Sequence, residues 1–346
     1  MTDEARMNEV ATGLATPEKH VVVATHGYCF DGLCSAVMFT RLLRHVYGST
    51  PLRFTYRGAG YGPGQNGVDP AVLSGDENAI LDFRFSQSPR LTWYFDHHVS
   101  AFPTPTDRAL YDTRVAAEAS CAPALRRTFH DGAYTSCTKL IADLGERYFD
   151  LDTAPMAELV RWADLIDSAS FPSAEMAVAR REPELVMMTV VEHACDDAFL
   201  AEYVPRLLAA PLAEVASSPA IRDAAVPLRV THDAFIEMVK KSAVVIGPVV
   251  FVDLTSQVVD AGAKFVTYAL YPKSAYSVTL TRSKSKCKIS VGYNPWSGVR
   301  RTHDIASICE RYGGGGHPVV GAVALPVEDV VGAQRVASEI VRELGT

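Results

Sequence analysis

Apolar positions in the first half of the chain fall into short unbroken runs that stop on polar residues. His20–Thr25 (HVVVAT), Leu52–Tyr56 (LRFTY), Asn78–Phe83 (NAILDF) and the LTWYF run within Leu91–Ser100 read as strands buried on both faces, the pattern of a parallel sheet. After the first of them, Leu33, Val37, Phe39, Leu42, Leu43 and Val46 recur at helical spacing over Leu33–Tyr47. Strand, short polar loop and helix then open a βαβ unit. Ser136–Tyr148 and Met156–Ile166 predict further helices. Pro183–Ser242 is mostly helical by period, with Pro205, Pro211 and Pro219 as punctuation. Arg57–Gly67 is rich in glycine but matches neither the P-loop nor the GxGxxG pattern, so it reads as a connection.

From Ala243 onwards the pattern changes to strands: AVVIGPVVFVDLTS, KFVTYALY, YSVTLTRS and KCKISVGYNP. Asp304–Tyr312 predicts a helix stopped by Gly313–Gly316, Val319–Leu325 a last strand, and Val330–Leu344 a closing helix. The expected fold class is α/β: an N-terminal parallel-sheet domain and a smaller C-terminal α/β domain, with the active site in the cleft between them. The expected division is a loose tail over 1–19, a first domain over 20–209, a linker and connecting helix over 210–242, and a second domain over 243–346. The boundary falls in Ala210–Pro227, before a helix at Val230–Lys241.

The polar residues that end the strands are chemically unusual. The fourth run ends in Asp96-His97-His98, the first leads into His26 and Asp31, and the third ends near Asp82. Open α/β sheets gather the carboxyl ends of their strands in one crevice, so these acids and imidazoles are expected to meet there. Each aspartate alone is an ordinary turn residue; the repetition at equivalent places is the signal. Carboxylates with imidazoles suit Mn, Mg, Fe or Zn. Asp164 and Asp167 share a helix face, and either one could reach the same crevice. Gly313–Gly316 followed by His317 offers closely spaced backbone amides, which can form an anion nest beside a histidine donor; a helix C-cap explains one glycine of the four.

Composition narrows the partners. The chain has 346 residues, 48% of them hydrophobic and 21% charged, long enough to bury a real core and to suggest two domains or one large one with an appendage. A net charge of −7 argues against stable binding to duplex nucleic acid, yet bound cations would still allow an anionic substrate. Its seven cysteines are scattered without a CxxC pair, against a disulfide framework or structural zinc. No apolar run is long enough to span a membrane, and no secretory h-region is visible, so the expected location is the cytoplasm.

Asp96-His97-His98 followed far along the chain by Gly313–His317 resembles the signature pair of the DHH phosphoesterases with the associated GGGGH domain, a superfamily that includes nanoRNases, oligoribonucleases and RecJ-like enzymes. The resemblance runs from His20 to about Leu344. Asp31-Gly32 with Ser35 fits the family's first motif, Asp82 its second, Ser136–Ile141 the helix after the third, Ala163–Phe171 the fourth, and Thr281-Arg282-Ser283 the strand that faces substrate. The resemblance implies two Mn²⁺ ions, with Mg²⁺ as the substitute, held by His26, Asp31, Asp82, Asp96, His97 and Asp164 or Asp167, with Asp96 as the bridge. It gives His98 the task of orienting the phosphate or protonating the leaving oxygen. Arg282, Ser283, Gly314, Gly315, Gly316 and His317 are implied to hold a terminal phosphate.

The implied reaction is hydrolysis of short single-stranded oligonucleotides or dinucleotides to mononucleotides by water activated between two metals, with a homodimer as an open assembly. An exopolyphosphatase or other phosphoanhydride hydrolase is the alternative within the enzymes, and a catalytically weak nucleotide-binding protein the alternative outside them. One departure bears on the last: where the first motif usually carries an acid two residues before Asp31, this chain has Cys29, a soft ligand poorly matched to Mn²⁺.

Overall fold

The computed structural model describes residues 17–60, 67–259 and 265–346. The expected loose tail therefore lies outside the described residues up to 16, as does the middle of the glycine-rich connection at 61–66. The chain divides into two compact units: residues 1–169 with 190–215, and residues 170–189 with 216–346.

The first unit opens with β1 (Lys19–His26), α1 (Phe30–Tyr47), β2 (Leu52–Ala59), β3 (Glu77–Leu81) and β4 (Trp93–Asp96). It continues through α2 (Pro105–Ala119), β5 (Thr128–His130), α3 (Cys137–Phe149) and α4 (Ala157–Asp167). All five strands are parallel, in the order β2-β1-β3-β4-β5. Strand order reverses between β1 and β3, which makes the carboxyl ends of those strands the natural place for a ligand. β4 shows why its sequence is an unbroken apolar run. Trp93 and Phe95 pack on Phe39 of α1, while Tyr94 packs on Phe85 and on Tyr111 of α2. All three are fully buried, and each contributes about 1.5–3 kcal/mol or more by leaving water.

α2 and β5 were not expected from hydrophobic period. The signal for α2 lay in its cap: Thr104 accepts from the Asp107 amide, and the Asp107 carboxylate accepts from Thr104, a reciprocal box ahead of Pro105.

The chain then runs through α5 (Ala174–Ala179), α6 (Pro183–Ala194), α7 (Asp197–Ala209), α8 (Leu212–Ala216) and α9 (Pro219–Ser242). Within the first unit, α7 packs on α1 and β2. Of the three expected proline breaks, Pro205 lies inside α7, whereas Pro211 precedes α8 and Pro219 opens α9, where the missing amide costs nothing. The expected helix at Val230–Lys241 is the second half of α9, which continues through Pro227.

The second unit adds β6 (Ala243–Ile246), β7 (Val249–Asp253), α10 (Val266–Leu270), β8 (Tyr276–Arg282), β9 (Lys286–Tyr293), α11 (Ile305–Glu310), β10 (Gly315–His317), β11 (Val320–Pro326) and α12 (Val330–Leu344). Its sheet is mixed, in the order β10-β11-β9-β8-β7-β6, antiparallel throughout except between β7 and β8. One sheet face buries Val278, Leu280, Ile289, Val291 and Val323 against Ile305 and Ile308 of α11 and Ala337 and Ile340 of α12. A second cluster joins Val178 of α5, Val239 of α9 and Val266 of α10 to Val250 and Val252 of β7, which is why 170–189 belongs to this unit. The KFVTYALY stretch, expected as a strand, is helical over α10: Val266, Thr267 and Tyr268 are buried in succession, so tertiary packing overrides β-rich composition. Among the described residues, no helix is long and apolar enough to cross a membrane.

Candidate functional site

The expected strand ends do meet in the first unit. His26 closes β1, Asp31 lies in the first turn of α1, Asp82 follows β3, and Asp96 closes β4 ahead of His97 and His98. Two backbone features hold them there. A Cβ on Gly32 would stand 2.1 Å from the His26 carbonyl oxygen, so only glycine lets α1 start so close to the end of β1. Asp82 adopts a left-handed φ of 53°, a conformation aspartate tolerates better than most residues, and its amide donates to the Phe95 carbonyl at 2.9 Å.

The aspartates have different surroundings. Asp96 is fully buried and saturated: one oxygen accepts from the His97 amide at 2.9 Å, the His98 amide at 3.2 Å and His98 Nδ1 at 2.8 Å, and the other from the Tyr94 hydroxyl at 3.1 Å. Asp31 accepts from the amides of Cys137 and Thr138 at 2.7 and 3.0 Å, at the start of α3. Burial, with the charges of Asp82 and Asp167, pushes its carboxyl well above the usual carboxylate range. Asp82 is equally buried, yet neither carboxylate oxygen has a hydrogen-bond partner among the described residues. It faces imidazoles instead: His97 Nε2 at 3.5 Å, His26 Nδ1 at 3.6 Å and His98 Nδ1 at 3.6 Å. Burial alone would raise its pKa; these imidazoles more than offset that and hold it at about 2.

His97 gives the complementary observation. Its Nδ1 donates to the Tyr134 carbonyl at 3.1 Å, which turns Nε2 towards Asp167 at 3.2 Å, Asp82 at 3.5 Å and Asp31 at 3.9 Å. Burial would lower its pKa, but the facing carboxylates of Asp167, Asp82 and Asp31 carry it up to about 11. Three buried or half-buried carboxylates converging on one imidazole edge are short of positive charge, and a bound cation is the usual remedy. Ligand atoms lie within 4.8 Å of one another in three groups among the described residues: His26, Cys29 and Asp82; Asp82, His97 and His98; Asp31, His97 and Asp167. Asp82 is shared by the first two groups and His97 by the last two, so the donor set fits closely spaced divalent cations.

The geometry separates the two acids of α4. Asp167 faces His97, whereas the Asp164 carboxylate accepts from the hydroxyls of Thr135 and Ser136, the latter at 3.3 Å. His98 is set differently from His97. Its Nδ1 is held by Asp96, its pKa is raised chiefly by that bond, and its carbonyl accepts from His130 Nε2 at 2.8 Å. Its side chain keeps about a third of its surface exposed. Tyr94, His130 and Tyr134 were missed by sequence reasoning. Tyr94 alone had a signal there, two residues before Asp96 and therefore on the same strand face.

In the second unit, the glycine run answers largely to local packing. Gly314 N donates to the Cys309 carbonyl at 2.9 Å and Gly313 N to that of Glu310 at 3.0 Å, a Schellman end to α11 with Gly313 at φ 77°. A Cβ on Gly314 would meet the Ala322 oxygen at 2.1 Å, and one on Gly316 the Val320 oxygen at 2.2 Å, because β10 pairs tightly with β11. Gly313 and Gly315 have open space around them, but of the two only Gly313 needs a left-handed φ. His317 is exposed at the end of β10. Arg282 ends β8 with its Nε buried and without a hydrogen-bond partner among the described residues, while the Ser283 hydroxyl is engaged in the β8–β9 turn with Ser285 and Lys286.

No protein-family model matches the sequence, and no curated protein matches it. Solved structures do. PggH, a pGpG-specific phosphodiesterase from Vibrio cholerae, superposes with a TM-score of 0.64 at 18% identity over 94% of this chain and 99% of its own. The DHH domain of a protein described as a member of a ribosomal-protein family does so with a TM-score of 0.55 at 11% identity, over 93% of this chain and 86% of its own. The chain thus has the DHH-domain fold, with Asp96-His97-His98 at the end of β4 and the GGGGH sequence in its second unit.

Proposed function

We propose that the protein is a divalent-metal-dependent phosphodiesterase that hydrolyses short oligonucleotides or dinucleotides to mononucleotides. The observation that carries this reading is Asp82: a fully buried carboxylate with no hydrogen-bond donor among the described residues, set among three imidazoles at the strand-order switch of a parallel sheet. His26, Asp31, Asp82, His97 and Asp167 would hold the cations, with Mn²⁺ or Mg²⁺ suited to the oxygen-rich groups. When bound, such ions supply Lewis-acid charge and lower the pKa of water near them.

The chain's own residues account for the rest. Asp96 fixes the His98 tautomer, and His98 presents its outer nitrogen to protonate the leaving oxygen, a general-acid role. Asp96 thereby becomes a positioning residue in place of the bridging ligand that motif resemblance implies. On the second unit, Arg282 and the exposed His317 are assigned to a substrate phosphate, beside Gly315, where a side chain would meet open space. The dinucleotide class is supported by the likeness to a pGpG-specific phosphodiesterase and by the acidic net charge, which disfavours long duplexes.

Incubation with pGpG and with 5′-phosphorylated RNA dinucleotides in Mn²⁺, followed by chromatography, tests the proposal. Mononucleotide release that a chelator abolishes is the expected result. Phosphate release from polyphosphate with intact dinucleotides would overturn the substrate class, and no hydrolysis of either would overturn the enzymatic reading.

A further inference from the structure

Cys29 occupies the N-cap of α1, a position that usually places an oxygen on the first helical amides. Its backbone does so, accepting from the Leu33 amide at 3.1 Å, but its side chain makes no capping hydrogen bond. The thiol instead lies within 4.8 Å of donor atoms of His26 and of Asp82. The loop that carries it is fixed: Gly27 N donates to the Ala59 carbonyl at 2.7 Å, Tyr28 N to that of Cys195 at 3.1 Å, and Thr25 Oγ1 to that of Gly32 at 2.7 Å. Asp82, the third member, is the fully buried carboxylate with no hydrogen-bond donor on either oxygen among the described residues. Cys34, Cys137, Cys195, Cys287 and Cys309 are buried and Cys121 is exposed; Cys29 is half-buried beside the cluster.

We infer that Cys29 is a metal ligand and that the His26–Cys29–Asp82 position takes a borderline or soft divalent transition ion, Zn²⁺, Co²⁺ or Fe²⁺, in preference to Mn²⁺ or Mg²⁺. The inference rests on the proposed metal-dependent function and deepens it. Thiolate and imidazole suit zinc and its neighbours, with carboxylate as an accepted third ligand. The Asp31–His97–Asp167 group has only nitrogen and oxygen donors and suits harder ions. The site is therefore built from two positions of unequal softness that meet through Asp82 and His97. Binding at the softer one releases the thiol proton to solvent as the sulfur–metal bond forms.

Titration of the metal-free full chain with Co²⁺ tests this directly, because a cysteine-bound cobalt shows a thiolate-to-metal charge-transfer band in the near-ultraviolet. The wild-type protein and Cys121→Ser should show the band, and Cys29→Ser should lack it. Cys29→Ser should bind Co²⁺ and Zn²⁺ at least about tenfold more weakly and change Mn²⁺ affinity by less than about twofold. Should that variant fail to fold, alkylation of the wild-type thiols with peptide mapping decides: Zn²⁺ is expected to protect Cys29, and Mn²⁺ is not. No band in the wild type, or no protection by Zn²⁺, while calorimetry still shows Mn²⁺ binding would overturn the thiolate assignment and leave the proposed function standing. Absence of any divalent binding would overturn that function and this inference with it.

Discussion

The acid–imidazole cluster of the first unit and the glycine run of the second are equally conspicuous in sequence, but the fold treats them differently. In the cluster, the structure leaves demands unmet: among the described residues the Asp82 oxygens have no hydrogen-bond donor, and His97 Nε2 faces three carboxylates. In the glycine run, Gly313 ends a helix, while Gly314 and Gly316 make room for the backbone of β11. An odd residue type signals a ligand to the extent that the protein's own packing does not already use it. By that criterion the cluster calls for a cation, and the glycines call first for a neighbouring strand.

The comparison breaks most sharply at Asp82. Asp82→Asn keeps the size of the side chain and removes its charge; divalent-cation affinity, measured by calorimetry, should fall by more than the roughly 10–100-fold typical of outer partners, and hydrolysis should fall with it. Unchanged affinity would remove the cluster's claim. Asp96→Asn should act differently because Asp96 serves His98. We expect kcat to drop by about 10²-fold or more, with Mn²⁺ affinity held within a fewfold; a parallel loss of metal would make Asp96 a ligand after all.

In the second unit, Arg282→Ala and His317→Ala should each raise KM for dinucleotides about tenfold, roughly one charge-assisted hydrogen bond, without moving metal affinity. A KM that stays put would reduce these residues to scaffold. The smallest effect on turnover, and the one that best separates packing from function, comes from two glycines. Gly316→Ala, forced into a left-handed φ of 155° against the Val320 oxygen, should destabilise by about 1–3 kcal/mol in a thermal melt. Gly315→Ala, in open space, should be neutral within about 0.5 kcal/mol, so any rise in its KM would report ligand contact alone.

Sequence made the parallel sheet readable because β4 is sandwiched between α1 and α2, and burial on both faces leaves an unbroken apolar run. α12 was legible for its stripe of Ala333, Val336, Ala337, Ile340 and Val341, one face of a helix against a sheet. β5 was not: three residues at a sheet edge carry too little period to register. α10 was misread because its helical state comes from what surrounds it. At the site, strand-end aspartates announced themselves, but their roles did not. Asp164 and Asp167 differ only in which side chains lie opposite, and Asp31, Asp82 and Asp96 differ in how many donors reach them; neither property is local to the sequence.

Asp31 also bears on when the site comes into being. Its carboxylate binds the amide of Cys137, 106 residues further on, and Asp167 lies beyond that. Contacts of such sequence separation form late, after parallel strands have found their neighbours and the closure entropy has been met. A nascent chain that has made only β1, α1 and β2 therefore holds His26, Cys29 and Asp31 without the other members of the cluster. The amides that hold Asp31 come with α3, and Asp167 comes only with α4, so the proposed metal binding, followed during refolding, would report completion of the whole cluster.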